Sequence, residues 1–371
     1  MSGEPRRVLL VNTLRAAGGG EKWVVRMSGC WRQLGIEPIL LCNPNTPLQH
    51  MASDAGIEVH PTMLRHDLSP VGVWNILAAL RRHRPRVVVC CNERAFRLAA
   101  PAAAPTGSLP LVYRNGLTGT FKNRSHNRLL IRRLSMMVAN TTAIRDELSC
   151  FGWLPPDKIR VIENGVDLKL FGADRTQTAR IRSELGADTS TLVYAVLGRL
   201  EREKGQWEAI DAFAQVRQTY PDSQLWLAGQ GPGSDSLAEE ISSQGLGQSV
   251  KLLGYRTDVA ELLGAVDVLL QPSHREGLGN TLLEAMASRK PVIASAVGGS
   301  PTLLEHGAAG LLVPPRDVSA LTQAMLQLAS RPELRLEYGA RGRRVVEARH
   351  RLEHEADQWL SLFRELCGAR W

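Results

Sequence analysis

The chain has 371 residues, more than one ordinary core holds and enough for two domains. It is 44% hydrophobic and 22% charged, which excludes a disordered chain, and it lacks the roughly 18 uncharged apolar residues in a row of a membrane helix. The net charge of +8 is lopsided: residues 1–170 carry 23 Lys and Arg against 12 Asp and Glu, net +11, and the rest carry 22 against 25, net −3.

The run Arg7 to Val11 predicts a short buried strand. A loop, Ala16-Ala17-Gly18-Gly19-Gly20-Glu21, and a helix with Trp23, Val24 and Met27 on one side follow. Strand, glycine loop, helix is how a doubly wound α/β domain begins, but the glycines lack the G-x-G-x-x-G spacing of a dinucleotide fingerprint. Further strands are expected at Pro38–Cys42, Val87–Cys91 and Leu109–Tyr113, with a helix at Val71–Arg82. Ligands of open α/β sheets sit beyond the carboxyl ends of the strands. That rule singles out Asn92, Glu93, Arg94, Arg114 and Asn115, which could equally be ordinary loop residues.

Phe121 to Val138 predicts a basic helix, with Lys122, Arg124, Arg128, Arg132 and Arg133 as charges and Leu129, Leu130, Leu134 and Met137 as an apolar stripe. It reads as a solvated face or as a seat at an anionic membrane surface. A short helix is expected at Thr142–Phe151, then a strand from Ile159 into Asn164-Gly165-Val166-Asp167, then a polar linker and helix over 168–190.

A second α/β half opens with the strand Thr191–Leu197, then Gly198-Arg199-Leu200, Lys204-Gly205 and a helix from about Gln206 to Thr219. Arg and Lys at a strand end beside a helix N-terminus can hold two phosphates. Leu225–Gly233 is a strand with a glycine-rich end that includes Gly231; Val250–Tyr255 is another, turning at Gly254-Tyr255-Arg256. A strand is read at Val266–Leu270, then a glycine turn, Glu276-Gly277-Leu278-Gly279, and a helix that Asn280 or Thr281 could start and that carries Glu284. Its free N–H groups and dipole offer an anion seat. A strand at Ile293–Gly299, a helix at Ser319–Leu328 and a helix from Arg343 to Leu366, with Trp359, Leu362, Phe363 and Leu366 late in it, close the chain.

The run E-G-L-G-N-T-L-L-E-A-M-A-S from Glu276, then K-P-V-I-A-S and V-G-G-S-P, resembles the nucleotide-sugar site of retaining family-4 glycosyltransferases of GT-B fold. G-R-L-x-x-x-K-G from Gly198 is similar to that family's diphosphate clamp, and Asn164-Gly165-Val166-Asp167 to its hinge. The resemblance is strongest over Ile159 to Pro315. It implies two Rossmann-like domains facing across a cleft: 1–170 for the acceptor, 171–350 for the nucleotide sugar, and 351–371 as a helix returning to the first. The implied reaction moves a sugar from a UDP- or GDP-linked donor to a hydroxyl with retention, in polysaccharide or lipopolysaccharide synthesis or on a lipid or small molecule. The resemblance gives Glu276 the donor-sugar hydroxyls and Glu284 the ribose. Gly198, Gly231, Tyr255 and Arg256 become walls of the nucleotide pocket, Gly277 to Thr281 the anion loop, and Gly19 and Gly20 a substrate loop. Arg199, Lys204 and backbone amides would carry the leaving charge without a metal, and no D-x-D occurs. No cofactor is expected. Many relatives have a His where this chain has Arg114 or Asn115, one of which is expected to meet the sugar or acceptor.

Six cysteines without C-x-x-C spacing and a first segment too polar for a signal peptide read as a reduced, cytoplasmic protein, peripheral at the inner face of a membrane through its basic half. Nucleic acid is not an expected partner: aromatics are 5% and no recognition motif occurs. Two alternatives remain, a sugar-nucleotide epimerase of the same fold and a non-catalytic transferase-like partner in a polysaccharide-assembly complex.

Overall fold

The structure is a computed structural model that describes residues 5–15, 18–64, 66, 67, 69–172 and 175–371, without the side chains of residues 175, 176 and 370. Ala16 and Ala17 of the expected glycine loop lie outside the described residues. The chain divides into two compact units, Met1–Glu163 with Glu353–Trp371, and Asn164–Leu352.

In the first unit the strands are β1 (Arg6–Asn12), β2 (Ile36–Cys42), β3 (Glu58–Pro61), β4 (Val87–Cys90), β5 (Leu111–Asn115), β6 (Met136–Ala139) and β7 (Ile159–Val161). They pair in parallel in the order β3-β2-β1-β4-β5-β6-β7. Val8 to Val11 and Val87 to Cys90 are wholly buried, as strands covered on both faces must be. The helices are α1 (Gly19–Gln33), α2 (Pro47–Asp54), α3 (Pro70–His83), α4 (Glu93–Ala102), α5 (Ser125–Leu130) and α6 (Thr142–Ser149). Thr46, Ser69, Asn92 and Thr141 cap α2, α3, α4 and α6, each accepting a backbone N–H with its side chain.

The second unit has β8 (Val193–Leu197), β9 (Gln224–Ala228), β10 (Val250–Gly254), β11 (Val268–Gln271), β12 (Val292–Ser295) and β13 (Leu311–Val313), parallel in the order β10-β9-β8-β11-β12-β13. Its helices are α7 (Arg175–Glu184), α8 (Gln206–Thr219), α9 (Ser234–Ser243), α10 (Val259–Ala265), α11 (Asn280–Ala287), α12 (Ser300–Leu303), α13 (Val318–Ser330) and α14 (Pro332–Arg349). The last helix, α15 (Leu352–Cys367), packs from Glu353 onward within the first unit. Trp359 sits 5.4 Å from Trp23 and 5.8 Å from Trp31, and Phe363 5.2 Å from Trp31, between ring centroids. Buried Glu355 accepts the Trp23 indole N–H at 2.5 Å, and Arg160 pairs with Glu365 at 2.8 Å.

Three expectations about elements fail for physical reasons. Phe121–Val138 is not one basic helix. Only Ser125–Leu130 is α-helical, and Met136–Val138 enters β6, where an apolar run finds strand partners on both sides. Leu134 and Met137 are buried, while Leu129 is 63% exposed, so no single apolar stripe exists. The helix expected from Arg343 to Leu366 breaks at His350. There the Val166 N–H donates to the His350 carbonyl at 2.8 Å and the Leu352 N–H to the Val166 carbonyl at 3.1 Å, taking the place of helical bonds. A Cβ on Gly165 would lie 2.6 Å from the Arg351 carbonyl oxygen, so only glycine admits this crossing. Finally, Arg114 and Asn115 are not loop residues past a strand; they are the buried last two residues of β5.

Candidate active site

The second sheet reverses its strand order between β8 and β11, and each of these strands delivers one charged residue to that point. After β8 the chain turns through the short 3-10 segment Arg202–Lys204; after β11 it turns through residues 272–279. Lys204 Nζ and Glu276 Oε2 meet there at 2.7 Å, both side chains only partly exposed. A crevice beyond the carboxyl ends at a switch point is where open α/β sheets hold ligands.

Glycines let the backbone close in. Gly205 has φ +73°, and a Cβ on it would lie 2.0 Å from the Pro272 carbonyl oxygen, so the β8 and β11 turns touch main chain to main chain. A Cβ on Gly231 would lie 2.2 Å from the Leu200 carbonyl oxygen, and one on Gly229 would lie 1.8 Å from that of Gly198. Gly298, at φ +56°, lies against the Glu276 carbonyl, and the Gly299 N–H donates to the Gly277 carbonyl at 2.7 Å. The turn carrying Glu276 is thus fixed from below by the one after β12.

Helix starts around this point share a glycine cap, as α1 of the first unit does after Gly18. Helices α8, α9, α11 and α12 begin after Gly205, Gly233, Gly279 and Gly299, with no side-chain cap. At α11 the expectation that Asn280 or Thr281 starts the helix resolves to Gly279 as the cap, at φ +79°. Helix N-termini favour anions, and these four caps carry no side-chain oxygen that would compete for one. Thr281 Oγ1 reaches the Leu197 carbonyl at 3.4 Å, Asn280 Oδ1 accepts from Asn164 at 2.7 Å, buried Leu278 anchors the turn, and Glu284 is half-buried one turn into α11.

The remaining expected residues are spread more widely. Arg199 is half exposed and its Nε lies 3.3 Å from Glu201. Arg256 is held by Asp258 at 2.6 Å and Glu184 at 2.9 Å, which raises its pKa further, through the Asp258 and then the Glu184 hydrogen bond. Tyr255 beside it is exposed. Sequence reasoning missed the supports: Gln206 holds the Arg199 carbonyl at 2.8 Å, and His274 pairs with Glu208 at 2.8 Å. Spacing carries no signal for them, since their partners lie 7 and 66 residues away.

The first sheet reverses between β1 and β4, and a polar knot sits there. Asn12 donates to Glu21 at 3.1 Å, Asn92 donates to Asn12 at 3.2 Å, and Thr13 donates to Asn92 at 2.8 Å. Asn12 and Thr13 were missed, though a polar pair directly after the apolar β1 run was the available signal. Gly19 and Gly20 open α1 beside this knot, and a Cβ on Gly20 would meet nothing. Arg114 lies 4.1 Å over the Trp23 ring; burial lowers its pKa and nearby Glu355 opposes that. Asn115 Oδ1 accepts from Thr120 at 2.8 Å, while its buried Nδ2 has no hydrogen-bond partner among the described residues.

Comparison with known proteins agrees with this geometry. The family model of glycosyl transferases group 1 matches residues 177–345, and that of Glycosyltransferase Family 4 matches residues 17–170. The chain is 32% identical over 257 residues to the alpha-maltose-1-phosphate synthase of Mycolicibacterium smegmatis, covering 65% of this chain and 66% of that protein. It is 28% identical over 242 residues to the alpha-D-kanosaminyltransferase of Streptomyces kanamyceticus, covering 64% of this chain and 62% of that protein. The matches thus span just under two thirds of these two relatives. Against the lipopolysaccharide core biosynthesis glycosyltransferase LpsE of Rhizobium meliloti it is 26% identical over 349 residues, 93% of this chain and 95% of that one. In fold it is similar to HepE of Anabaena, solved in complex with UDP, at TM-score 0.86 and 23% identity over 97% of this chain and 100% of that one. A glycosyltransferase of Rickettsia africae superposes at TM-score 0.88 and 18% identity over 99% and 100%. With two parallel α/β units, a polar strand-end site in each, and family models covering both, the chain belongs to glycosyltransferase family 4, of GT-B fold.

Proposed function

We propose that this family-4 enzyme moves a sugar from a nucleoside diphosphate, UDP or GDP, to a hydroxyl acceptor with retention at the anomeric carbon. The observation that carries the reading is the Lys204–Glu276 pair, 2.7 Å apart at the switch point of the second sheet, before the glycine-capped N-terminus of α11. Its relatives add weight: HepE of Anabaena was solved with UDP, and LpsE of Rhizobium meliloti is a lipopolysaccharide core transferase.

In this reading Lys204, Arg199 and the amides of Gly279, Asn280 and Thr281 take the charge that develops on the departing diphosphate. Such fixed donors act without reorganising, so no metal is called for. Glu276 holds the hydroxyls of the donor sugar, and Lys204 turns from it to the phosphate when donor binds. Glu284 holds the ribose, and Gly198, Gly231, Tyr255 and Arg256 border the nucleotide, with Gly277 and Leu278 shaping the turn. Glu284 so occupied is not a nucleophile, which separates this pair of acids from that of a glycosidase. On the first unit, Gly19, Gly20, Arg114 and Asn115 meet the acceptor or the moving sugar; the Asn115 amide, without a partner among the described residues, supports that role. If Arg114→Ala and Asn115→Ala both keep wild-type transfer rates, this part fails.

Among the described residues no helix is long and apolar enough to cross a membrane. Exposed Lys122, Arg124, Arg128 and Arg132, with exposed Leu129 among them, support peripheral contact with an anionic inner membrane face. Flotation with anionic vesicles tests it; equal flotation with neutral vesicles counts against it.

A panel of nucleotide sugars, read by thermal shift and then by hydrolysis or transfer, tests the main reading. One nucleotide should stabilise the protein and its sugar be turned over. A non-catalytic partner would show no turnover with any donor, and an epimerase would return the donor as its stereoisomer.

A further inference from the structure

At the edge of the first sheet, three donor groups that play no part in the reading above converge. Glu58 and His60 stand two apart on β3 and so share a face, and His83 ends α3 against that face. Glu58 Oε1 lies 2.9 Å from His60 Nε2 and 3.6 Å from His83 Nδ1, and one donor atom from each residue falls within 4.8 Å of the others. The two imidazole rings are 4.3 Å apart at 50°.

We propose that Glu58, His60 and His83 bind one divalent transition-metal ion, with Zn²⁺ the favoured ion, as a clamp that ties the edge strand to the end of α3. Two imidazoles and a carboxylate are the donor set of three-ligand zinc sites, in which a water completes the tetrahedron. An ion about 2.1 Å from each donor sets the donors about 3.4 Å apart. The two Glu58 distances already bracket that value, so small side-chain turns complete the site. Glu58 is half exposed, which leaves room for the water, while His83 is buried and held in place.

A plain hydrogen bond accounts for Glu58 and His60 but not for the second imidazole turned to the same oxygen. Neighbouring Arg7 would oppose a cation, yet its guanidinium is taken by Glu37 at 3.0 Å and the His83 carbonyl at 3.3 Å. An ion here joins the edge strand of the sheet to the far end of the helix that follows it, and so adds stability where pairing cannot.

The test uses the full chain after chelator treatment, titrated with Zn²⁺ against a chromophoric competitor and with Co²⁺ by absorption. One ion should bind tightly, Co²⁺ should give a tetrahedral spectrum without a sulfur-to-cobalt band, and Zn²⁺ should raise Tm. His60→Ala and Glu58→Gln should each weaken binding at least about tenfold and abolish the Tm shift. Both residues are partly exposed, so these variants keep the fold whereas one at buried His83 could lose it. Absence of binding, affinity unchanged in both variants, or a thiolate band that disappears in Cys150→Ser would each overturn the site.

Discussion

Gly298→Ala offers a test of how tightly the Glu276 turn must be held. The new Cβ would lie 2.2 Å from the Glu276 carbonyl oxygen and 2.5 Å from that of Gly277, where real Cβ contacts stay above 3.0 Å. Opening 2.2 to 3.0 Å moves that turn by about 0.8 Å, because the opposing atoms are backbone and cannot rotate away. Misplacing a reacting group by about 1 Å costs about 10²-fold in rate. The expected loss in kcat/KM for donor turnover is therefore about 10²-fold, equivalent to about 2.7 kcal/mol of barrier. Alanine at φ +56° adds about 1 kcal/mol of backbone cost. That lowers Tm by only about 2–4 °C for a unit of this size, so activity should fall far more than stability. Gly298→Asn separates the terms, since asparagine tolerates the left-handed region but keeps the Cβ. It should be as slow as the alanine variant with a smaller Tm loss. A folded Gly298→Ala protein within about threefold of wild-type kcat/KM would refute the claim that this turn positions the chemistry.

Lys204→Met should lower kcat by about 10²–10³, the cost of removing one preorganised donor, with Tm little changed because the pair with Glu276 is partly exposed; steady-state kinetics and a melt decide it. Trp359→Ala removes a wholly buried indole from the Trp23, Trp31 and Phe363 cluster and should cost about 3–5 kcal/mol in denaturant unfolding. Iodoacetamide at mildly alkaline pH should modify exposed Cys150 first. Burial raises Cys42 to about 11 and Cys91 to about 12, so both stay protonated and unreactive until pH nears those values or the chain unfolds; peptide mass spectrometry reads the order.

Most strands were legible as apolar runs, whereas β3, Glu-Val-His-Pro at the sheet edge, and the three-residue β13 were not expected; the candidate site of the second unit was legible because its glycines and charges sit in contiguous turns. Phe121–Val138 misled because basic residues at helical spacing say nothing of what the apolar ones find; Met136 to Val138 found strands. The break at His350 has no local cause and depends on Val166, nearly the length of a domain away in sequence. The same holds for the Asn12, Thr13 and Asn92 knot, which the crossover from β1 to β4 assembles from residues about 80 apart. The glycine cap of α11 was nearly legible, yet asparagine and threonine, good caps by chemistry, stand inside the helix because the left-handed turn before it, at φ +79°, falls on Gly279, the residue that adopts it at least cost.

The central claim is that fixed cations and helix amides of the second unit receive the diphosphate. A crystal structure with UDP bound tests it most directly. The account predicts the two phosphates against Lys204, Arg199 and the amides of Gly279 to Thr281, with the ribose on Glu284 and the Lys204–Glu276 pair opened. Phosphates bound anywhere else, with that pair still closed, would contradict it.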